Sequence, residues 1–255
     1  MHRPVENLTI FAEYLPVNPV PYPSFWSQAW RDLSNKFRRK VLGQNRVPWM
    51  KTRELDVIME VLANVKPEFC LEWGSGFSTL YFPEHIPSLK HWYALEHHKG
   101  WFDTIKTGIR NPKAEVMLVE PDDRDYFNRK ERYNPKMEGL YEDFHTYIEQ
   151  PRNFNLKFDF IFIDGRARKE CLKVAYELVS DHGAVIVHDA NRSAYFEDLP
   201  PFESSFRLTD YRAHRKEGGI WIGRKKGQVS QILSTDRHAR TWKIHNAVAK
   251  GFFLR

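Results

Sequence analysis

The stretch FCLEWGSGFST, residues 69–79, decides the fold of this chain. Its apolar opening predicts a buried strand and its end predicts the start of a helix, so the glycines lie in a strand–loop–helix joint. Glycine at positions 74 and 76 lets the backbone turn sharply and approach a ligand that a side chain would push away. The joint therefore predicts a site for a nucleotide-like cofactor.

A second apolar run, residues 92–95, ends in Glu96, twenty positions beyond Gly76. A carboxylate in that place can accept both hydroxyls of a ribose. The glycine pattern then narrows the choice of cofactor, because a dinucleotide fingerprint needs a third glycine where this chain has Thr79. The sequence favours S-adenosylmethionine over a dinucleotide.

Length and composition limit the class of protein. The chain has 255 residues, 42% of them hydrophobic, which fits one large α/β domain. A net charge of +6 allows an anionic partner, but the basic residues are scattered, so nucleic acid is not indicated. No apolar run approaches the roughly 20 residues that cross a bilayer, and we expect a cytoplasmic protein with no membrane partner. Cys70 and Cys171 fall in apolar periodic segments and are expected to be buried free thiols.

Strand and helix signals alternate from residue 69 onward. Apolar strands separated by helices indicate a parallel sheet covered on both faces. Two later strand-like runs, 206–211 and 219–224, are joined by a short polar link that suits an antiparallel hairpin. The expected fold is a Rossmann-like α/β fold with a seven-stranded, mostly parallel sheet, helices on both faces and a C-terminal antiparallel hairpin. The five preceding strands are predicted at 69–72, 92–96, 115–119, 158–164 and 184–188.

The chain divides into three parts by composition. Residues 1–50 contain several prolines and are expected to form an N-terminal arm that packs on the main domain. Residues 51–226 form that domain, with a polar and aromatic insertion at 121–157. Residues 227–255 are expected to form a basic C-terminal tail.

Polar side chains end several of the predicted strands, at the sheet edge where open parallel sheets bind ligands. His188 is the natural candidate for a base that removes a proton from a substrate hydroxyl. Asp164 and Asp189 could orient His188 or together bind a divalent cation, and both could equally be helix N-caps. The sequence leaves the metal unknown.

These motifs resemble the class I S-adenosylmethionine-dependent methyltransferases. The resemblance covers roughly residues 53–226 and rests on ELDVIMEVLANVKPEFCLEWGSGFST, on WYALE, on FDFIFIDGRARKECLKVAYELVSDHGAVIVHDANR and on the final strand pair. The runs IDGRARKEC and VIVHDANRSAY look like the small-molecule and sugar O-methyltransferase branches.

The resemblance implies roles for individual residues. It implies that Glu72 and the loop residues Gly74, Ser75 and Gly76 surround the methionine part of the cofactor. It also implies that Glu96 holds the ribose and that Asp122, or its neighbour Asp123, lies near the adenine. Metal-dependent members have an aspartate after the fourth strand, which Asp164 matches, and an Asp-Asn pair after the fifth, whereas here Ala190 separates Asp189 from Asn191.

The leading functional hypothesis is methyl transfer to a hydroxyl of a small or glycan-like acceptor of anionic character. One alternative is a nicotinamide-dependent oxidoreductase, against which Thr79 and the terminal hairpin argue. Another is a non-catalytic protein that retains the fold and the cofactor loop.

Overall fold

The computed structural model describes residues 24–41, 47–127, 138–210 and 218–253. Its centre is one seven-stranded sheet of order β3-β2-β1-β4-β5-β7-β6, in which β1 to β5 are parallel and β7 is antiparallel to both of its neighbours. The strands are β1 Phe69–Trp73, β2 His91–Glu96, β3 Ala114–Leu118, β4 Phe158–Ile163, β5 Val179–His188, β6 Ser204–Leu208 and β7 Ile220–Arg224. The predicted fold is confirmed.

Seven α-helices and several short 3-10 turns surround this sheet in the described ranges. The α-helices are α1 Phe25–Val41, α2 Thr52–Val65, α3 Phe77–Tyr81, α4 Lys99–Gly108, α5 His145–Glu149, α6 Arg168–Leu178 and α7 Thr235–Phe253. The 3-10 turns are Phe82–His85, Gln150–Phe154, Ser193–Phe196 and Val229–Gln231. None of the described helices is both long and apolar enough to cross a membrane.

The sheet separates two hydrophobic cores because alternate side chains of each strand point to opposite faces. In β4, Phe160 and Phe162 belong to the core that also contains the apolar stripe of α2, whereas Ile161 and Ile163 belong to the core under α6. All four side chains are fully buried. This burial on both faces is why the central strands have continuous apolar sequences.

The boundary between α6 and β5 differs from the predicted one. The sequence places a helix over 167–180, but the helix ends at Leu178 and β5 already begins at Val179, which pairs with Phe158 of β4. Val179 is β-branched and 1% exposed, so its side chain packs equally well at the start of a buried strand. Hydrophobic periodicity alone does not show where α6 ends and β5 begins.

The N-terminal and C-terminal parts both contribute helices to the domain. Within the predicted arm, α1 packs against α2, while residues 1–23 lie outside the described residues. The segment predicted as a basic tail contains α7, whose Trp242 is 2% exposed and lies beneath the guanidinium of Arg53 at 5.0 Å. The buried side chain of Trp242 packs α7 against the core, so this segment is part of the folded domain.

Candidate active site

The chain runs outward from β1 through β2 to β3 and then returns to β4 on the other side of β1. The strand order therefore reverses between β1 and β4, and the carboxyl ends of strands at such a switch point are where these sheets bind ligands. The loop after β1 begins at Gly74, and the loop after β4 begins at Asp164. The predicted site residues of both loops thus meet at one edge.

The two glycines after β1 serve different purposes. Gly74 has a φ of +91°, and a Cβ there would collide with the backbone of Gly165 in the loop after β4. Gly74 therefore allows two loops to touch, which the sequence did not predict. Gly76 has extended backbone, and among the described residues a Cβ there would meet Ser78 alone, at 3.4 Å from its Oγ. Gly76 is therefore the position at which a ligand can approach the loop closely.

Glu72 lies beneath the loop, with no exposed surface. Its carboxyl oxygens accept hydrogen bonds from the hydroxyls of Ser78 and Thr79 at the start of α3 and from the indole N–H of Trp92 at 2.8 Å. Burial outweighs these hydrogen bonds and raises the pKa of Glu72 to about 8. Glu72 supports the loop from below, and its contact with the methionine part of a cofactor stays a prediction.

Glu96 joins the ends of β1 and β2. Its Oε1 accepts the backbone N–H groups of His97 at 3.0 Å and His98 at 2.9 Å, and its Oε2 accepts the hydroxyl of Ser75 at 3.1 Å. These hydrogen bonds hold the carboxylate in place, and the residue Glu96 is 2% exposed. Since a carboxylate oxygen can accept two hydrogen bonds, Oε2 retains capacity for a ribose hydroxyl beside Ser75.

Asp122 has a structural partner of its own. It is exposed on the loop after β3, and its carboxylate accepts the backbone N–H of Thr146 at 2.9 Å and the hydroxyl of the same residue. This pair of bonds caps the start of α5. An adenine contact by Asp122 stays a prediction.

The three residues predicted to be catalytic come together after β4 and β5. One possible ligand atom from each of Asp164, His188 and Asp189 lies within 4.8 Å of the others. His188 Nδ1 is 2.8 Å from Asp164 Oδ1, and its Nε2 is 3.4 Å from Glu54 Oε2 on α2. Asp189 has a φ of +56°, an uncommon conformation for a residue with a side chain, and its Oδ1 accepts the backbone N–H of Gly218 at 2.6 Å.

The charges around His188 favour its protonated form. Burial lowers its pKa, but the carboxylates of Asp164 and Asp189 and the hydrogen bonds to Asp164 and Glu54 outweigh burial and raise the pKa of His188 well above 6.5. Burial raises the pKa of Asp189, but the nearby charges of His188 and Arg168 outweigh it and hold that pKa below 3.8. The electrostatics of the cluster thus favour the protonated form of His188 and the ionised form of Asp189.

Two residues that the sequence did not single out as part of the cluster complete it. Arg168, 7% exposed, donates to the carbonyl oxygens of Gly165 and His188, and its guanidinium lies 3.3 Å from the Asp164 carboxylate and 3.5 Å from that of Asp189. Glu54 is 1% exposed and accepts the backbone N–H groups of Lys51 and Gly219. The sequence feature that could have identified Glu54 is its acidic side chain next to the apolar stripe of α2.

A divalent cation does not fit this cluster well. Arg168 already places a permanent positive charge beside both aspartates, where the cation would have to bind. Asn191, the remaining ligand that metal-dependent relatives would imply, instead accepts the backbone N–H of Asp210 at 2.9 Å. The positive charge of Arg168 and the imidazole of His188 thus offset the negative charges of Asp164 and Asp189.

A cavity of about 360 Å³ opens beside His188 and Asp189. Helix α1 contributes three basic side chains to its wall, and the start of α2 contributes Glu54. The lining residues with charged side chains are Asp32, Lys36, Arg38, Arg39, Lys51, Glu54, His188 and Asp189. Arg38 and Arg39 belong to the basic run 38–40, which by its sequence alone indicates a solvated helix face, whereas the structure places both residues in the cavity wall.

An aromatic wall connects this cavity with the loop after β1. Trp49, which lines the cavity, packs on Phe77 and Trp101 with ring centroids 5.3 and 5.5 Å away. The indole N–H of Trp101 donates to the carbonyl oxygen of Ser75 at 2.7 Å. The wall therefore runs from the cavity to the Ser75–Glu96 pair.

Solved structures with a similar arrangement have low sequence identity to this chain. An O-methyltransferase from Bacillus cereus in complex with SAH is 16% identical, with a TM-score of 0.48 over 78% of this chain and 99% of that one. Spermidine synthase from Thermotoga maritima is 13% identical, with a TM-score of 0.45 over 71% and 61%. The O-methyltransferase TomG from Streptomyces achromogenes is 12% identical, with a TM-score of 0.45 over 76% and 89%.

Comparison by sequence gives one family. No curated protein matches the chain. Residues 71–190, which run from β1 to the residue after Asp189, match the family model described as a methyltransferase domain. Residues 71–190 are therefore similar to a methyltransferase domain, which agrees with the resemblance of the chain to the class I S-adenosylmethionine-dependent methyltransferases.

Proposed function

We propose that this protein transfers the methyl group of S-adenosylmethionine to a hydroxyl of a small, anionic, sugar-like acceptor. The observation that carries the proposal is the position of the cavity. It lies beside Asp189 at the end of β5 and is joined by the Trp49 wall to the Ser75–Glu96 pair at the ends of β1 and β2. A cofactor held at the pair and an acceptor held in the cavity would meet along one edge of the sheet.

The proposed cofactor site uses the loop after β1. S-adenosylmethionine supplies a methyl group on a positively charged sulfur. Gly76 leaves room for close approach, Ser75 and Glu96 bind the ribose, and Glu72 keeps the loop in place from below. Holding two reactants in line can lower the barrier by about 7 to 11 kcal/mol, so alignment is the main task of these residues.

The proposed chemistry at the acceptor side revises the role of His188. The raised pKa of His188 favours its imidazolium form, which has no free lone pair, so we assign the role of base to another residue of the cluster. The lowered pKa of Asp189 favours its ionised form, and Asp189 lines the cavity. We assign to it the hydrogen bond from the acceptor hydroxyl. It would also take the hydroxyl proton that is released when the methyl carbon–sulfur bond breaks and the carbon–oxygen bond forms. His188, held between Asp164 and Glu54, is a positioning residue.

The anionic character of the acceptor rests on the α1 wall of the cavity. Lys36, Arg38 and Arg39 line it, and among the described residues they have no acidic partner. Carboxylates and phosphates are the groups that such side chains bind. A hydroxyl directed at Asp189 and an anionic group directed at α1 together define the acceptor.

Two experiments test the proposal. Calorimetry should detect binding of S-adenosylmethionine and of SAH but not of NADH, and the reverse result would restore the oxidoreductase hypothesis. Incubation with methyl-labelled S-adenosylmethionine and a metabolite extract should then label an anionic hydroxyl compound. Binding without any labelled product would favour a non-catalytic protein.

With the acceptor identified, Arg39→Ala should raise its KM and leave the cofactor affinity unchanged. Arg110→Ala, which removes an exposed arginine that does not line the cavity, is the control. Equal KM values for both variants would contradict an anion site on α1.

A further inference from the structure

The outer face of α1 carries a stripe of large apolar side chains. Trp26 is 79% exposed and Trp30 is 72% exposed, and the stripe continues through Leu33, Phe37 and Val41, each more than half exposed. These residues recur every three or four positions, so they share one face of the helix. Single exposed apolar residues are common, but a continuous stripe marks an interaction surface.

Polar contacts hold the opposite face of α1 on the domain. Gln28 is fully buried and donates to Asp56 at 2.8 Å, Arg31 donates to the same carboxylate, and Asp32 accepts the backbone N–H and the hydroxyl of Thr52. The helix therefore buries polar side chains and turns its apolar ones outward. This is the reverse of the usual orientation of a surface helix.

Helix α7 extends the apolar surface. It contacts α1 through His245, whose ring centroid lies 4.7 Å from that of Phe25 at an interplanar angle of 57° and whose Nε2 lies 2.9 Å from Gln28 Oε1. On α7, Ile244 is 43% exposed and Val248 is 38% exposed. The two neighbouring helices thus expose apolar side chains together.

The charges around this surface are almost all positive. The last two turns of α1 carry Lys36, Arg38, Arg39 and Lys40, and the acid of that helix, Asp32, is bonded to Thr52. Helix α7 has one acid, Asp236, against four lysines and arginines, Arg237, Arg240, Lys243 and Lys250. Tryptophan and phenylalanine on one side with lysine and arginine around them are typical of helices that lie in a membrane interface.

We propose that α1, extended by α7, docks this protein onto the surface of a membrane that contains anionic lipids. The apolar stripe would enter the boundary between headgroups and acyl chains. Lys40 and the exposed cations of α7, which do not line the cavity, would contact the lipid phosphates. A second copy of the chain fits less well, because pairing two such helices would bring their cations together without acids to offset them. The proposal departs from the expectation of no membrane partner, which rested on the absence of spanning segments.

The test is cosedimentation of the full chain with vesicles of phosphatidylcholine alone and of phosphatidylcholine mixed with phosphatidylglycerol. We expect binding to the mixed vesicles, weakening as salt is added, and little binding to the neutral ones. The double variant Trp26→Ser/Trp30→Ser should lose at least about tenfold in affinity, since its two largest inserted side chains are removed. Leu140→Ser/Tyr141→Ser is the control, because those exposed apolar residues lie outside α1 and α7.

Three results would overturn the proposal. The parent protein would remain in the supernatant with both kinds of vesicle, or the double variant would bind as well as the parent. Alternatively, light scattering would show a dimer that Trp26→Ser/Trp30→Ser separates into monomers, which would make a second copy the occupant. Thermal unfolding of each variant shows whether it is folded, and methyl transfer to a dissolved acceptor is scored separately, so failure of one proposal is distinguishable from failure of the other.

Discussion

The hydroxyl of Ser75 donates a hydrogen bond to Glu96 Oε2 over 3.1 Å and so ties the loop after β1 to the end of β2. If this pair binds the ribose, Glu96→Gln should weaken S-adenosylmethionine binding by about tenfold to a hundredfold, since hydrogen bonds to charged groups contribute about 1.5–3 kcal/mol. Calorimetry measures the effect. Glu120→Gln, an exposed acid just after β3, is the control, and equal affinities for both variants would move the ribose elsewhere.

The two loop glycines should separate folding from cofactor binding. Gly74→Ala is expected to lower the free energy of unfolding by several kcal/mol, because its Cβ would collide with the Gly165 backbone and its φ is positive. Gly76→Ala should leave unfolding nearly unchanged and weaken cofactor binding. Urea unfolding and calorimetry on both variants check this, and a Gly76→Ala protein that binds normally would place the cofactor away from the loop.

Asp189→Asn should lower kcat by about a hundredfold or more and leave cofactor affinity unchanged, because the amide cannot take the hydroxyl proton. Asparagine tolerates the positive φ of this position, so the backbone should be retained. Asp198→Asn is a matched control, since Asp198 also has a positive φ but is exposed. Full activity of Asp189→Asn would exclude this residue as the proton acceptor.

Methyl transfer is expected to continue in the presence of EDTA, because Arg168 supplies the positive charge beside Asp164 and Asp189. Turnover is compared before and after dialysis against chelator and after adding Mg²⁺. Loss of turnover that Mg²⁺ restores would show that a cation shares the cluster with Arg168.

Glu72 should make the protein less stable as pH rises. Its pKa is about 8 in the folded protein and near 4.5 when unfolded, so the folded state binds more protons between these values. The free energy of unfolding should therefore fall across that window, by on the order of a few kcal/mol for this residue. Glu72→Gln should flatten the decline, whereas Glu84→Gln, an exposed control, should not. Urea unfolding at pH 5 and pH 8.5 measures the difference, and an equal decline in both variants would rule out a buried neutral Glu72.

The sequence by itself determined the sheet, the glycine loop and the edge at which the polar residues gather, because strand burial on two faces and strand ends are visible as local patterns. It also predicted that Asp164, His188 and Asp189 lie together at the ends of β4 and β5. Local patterns do not contain contacts between distant segments, however. Only the tertiary structure could place Glu54 and Arg168 beside His188, bring Gly165 against Gly74 and turn α1 into the wall of the cavity. These contacts raise the pKa of His188 and leave one face of α1 exposed, since pKa and exposure depend on neighbours in space.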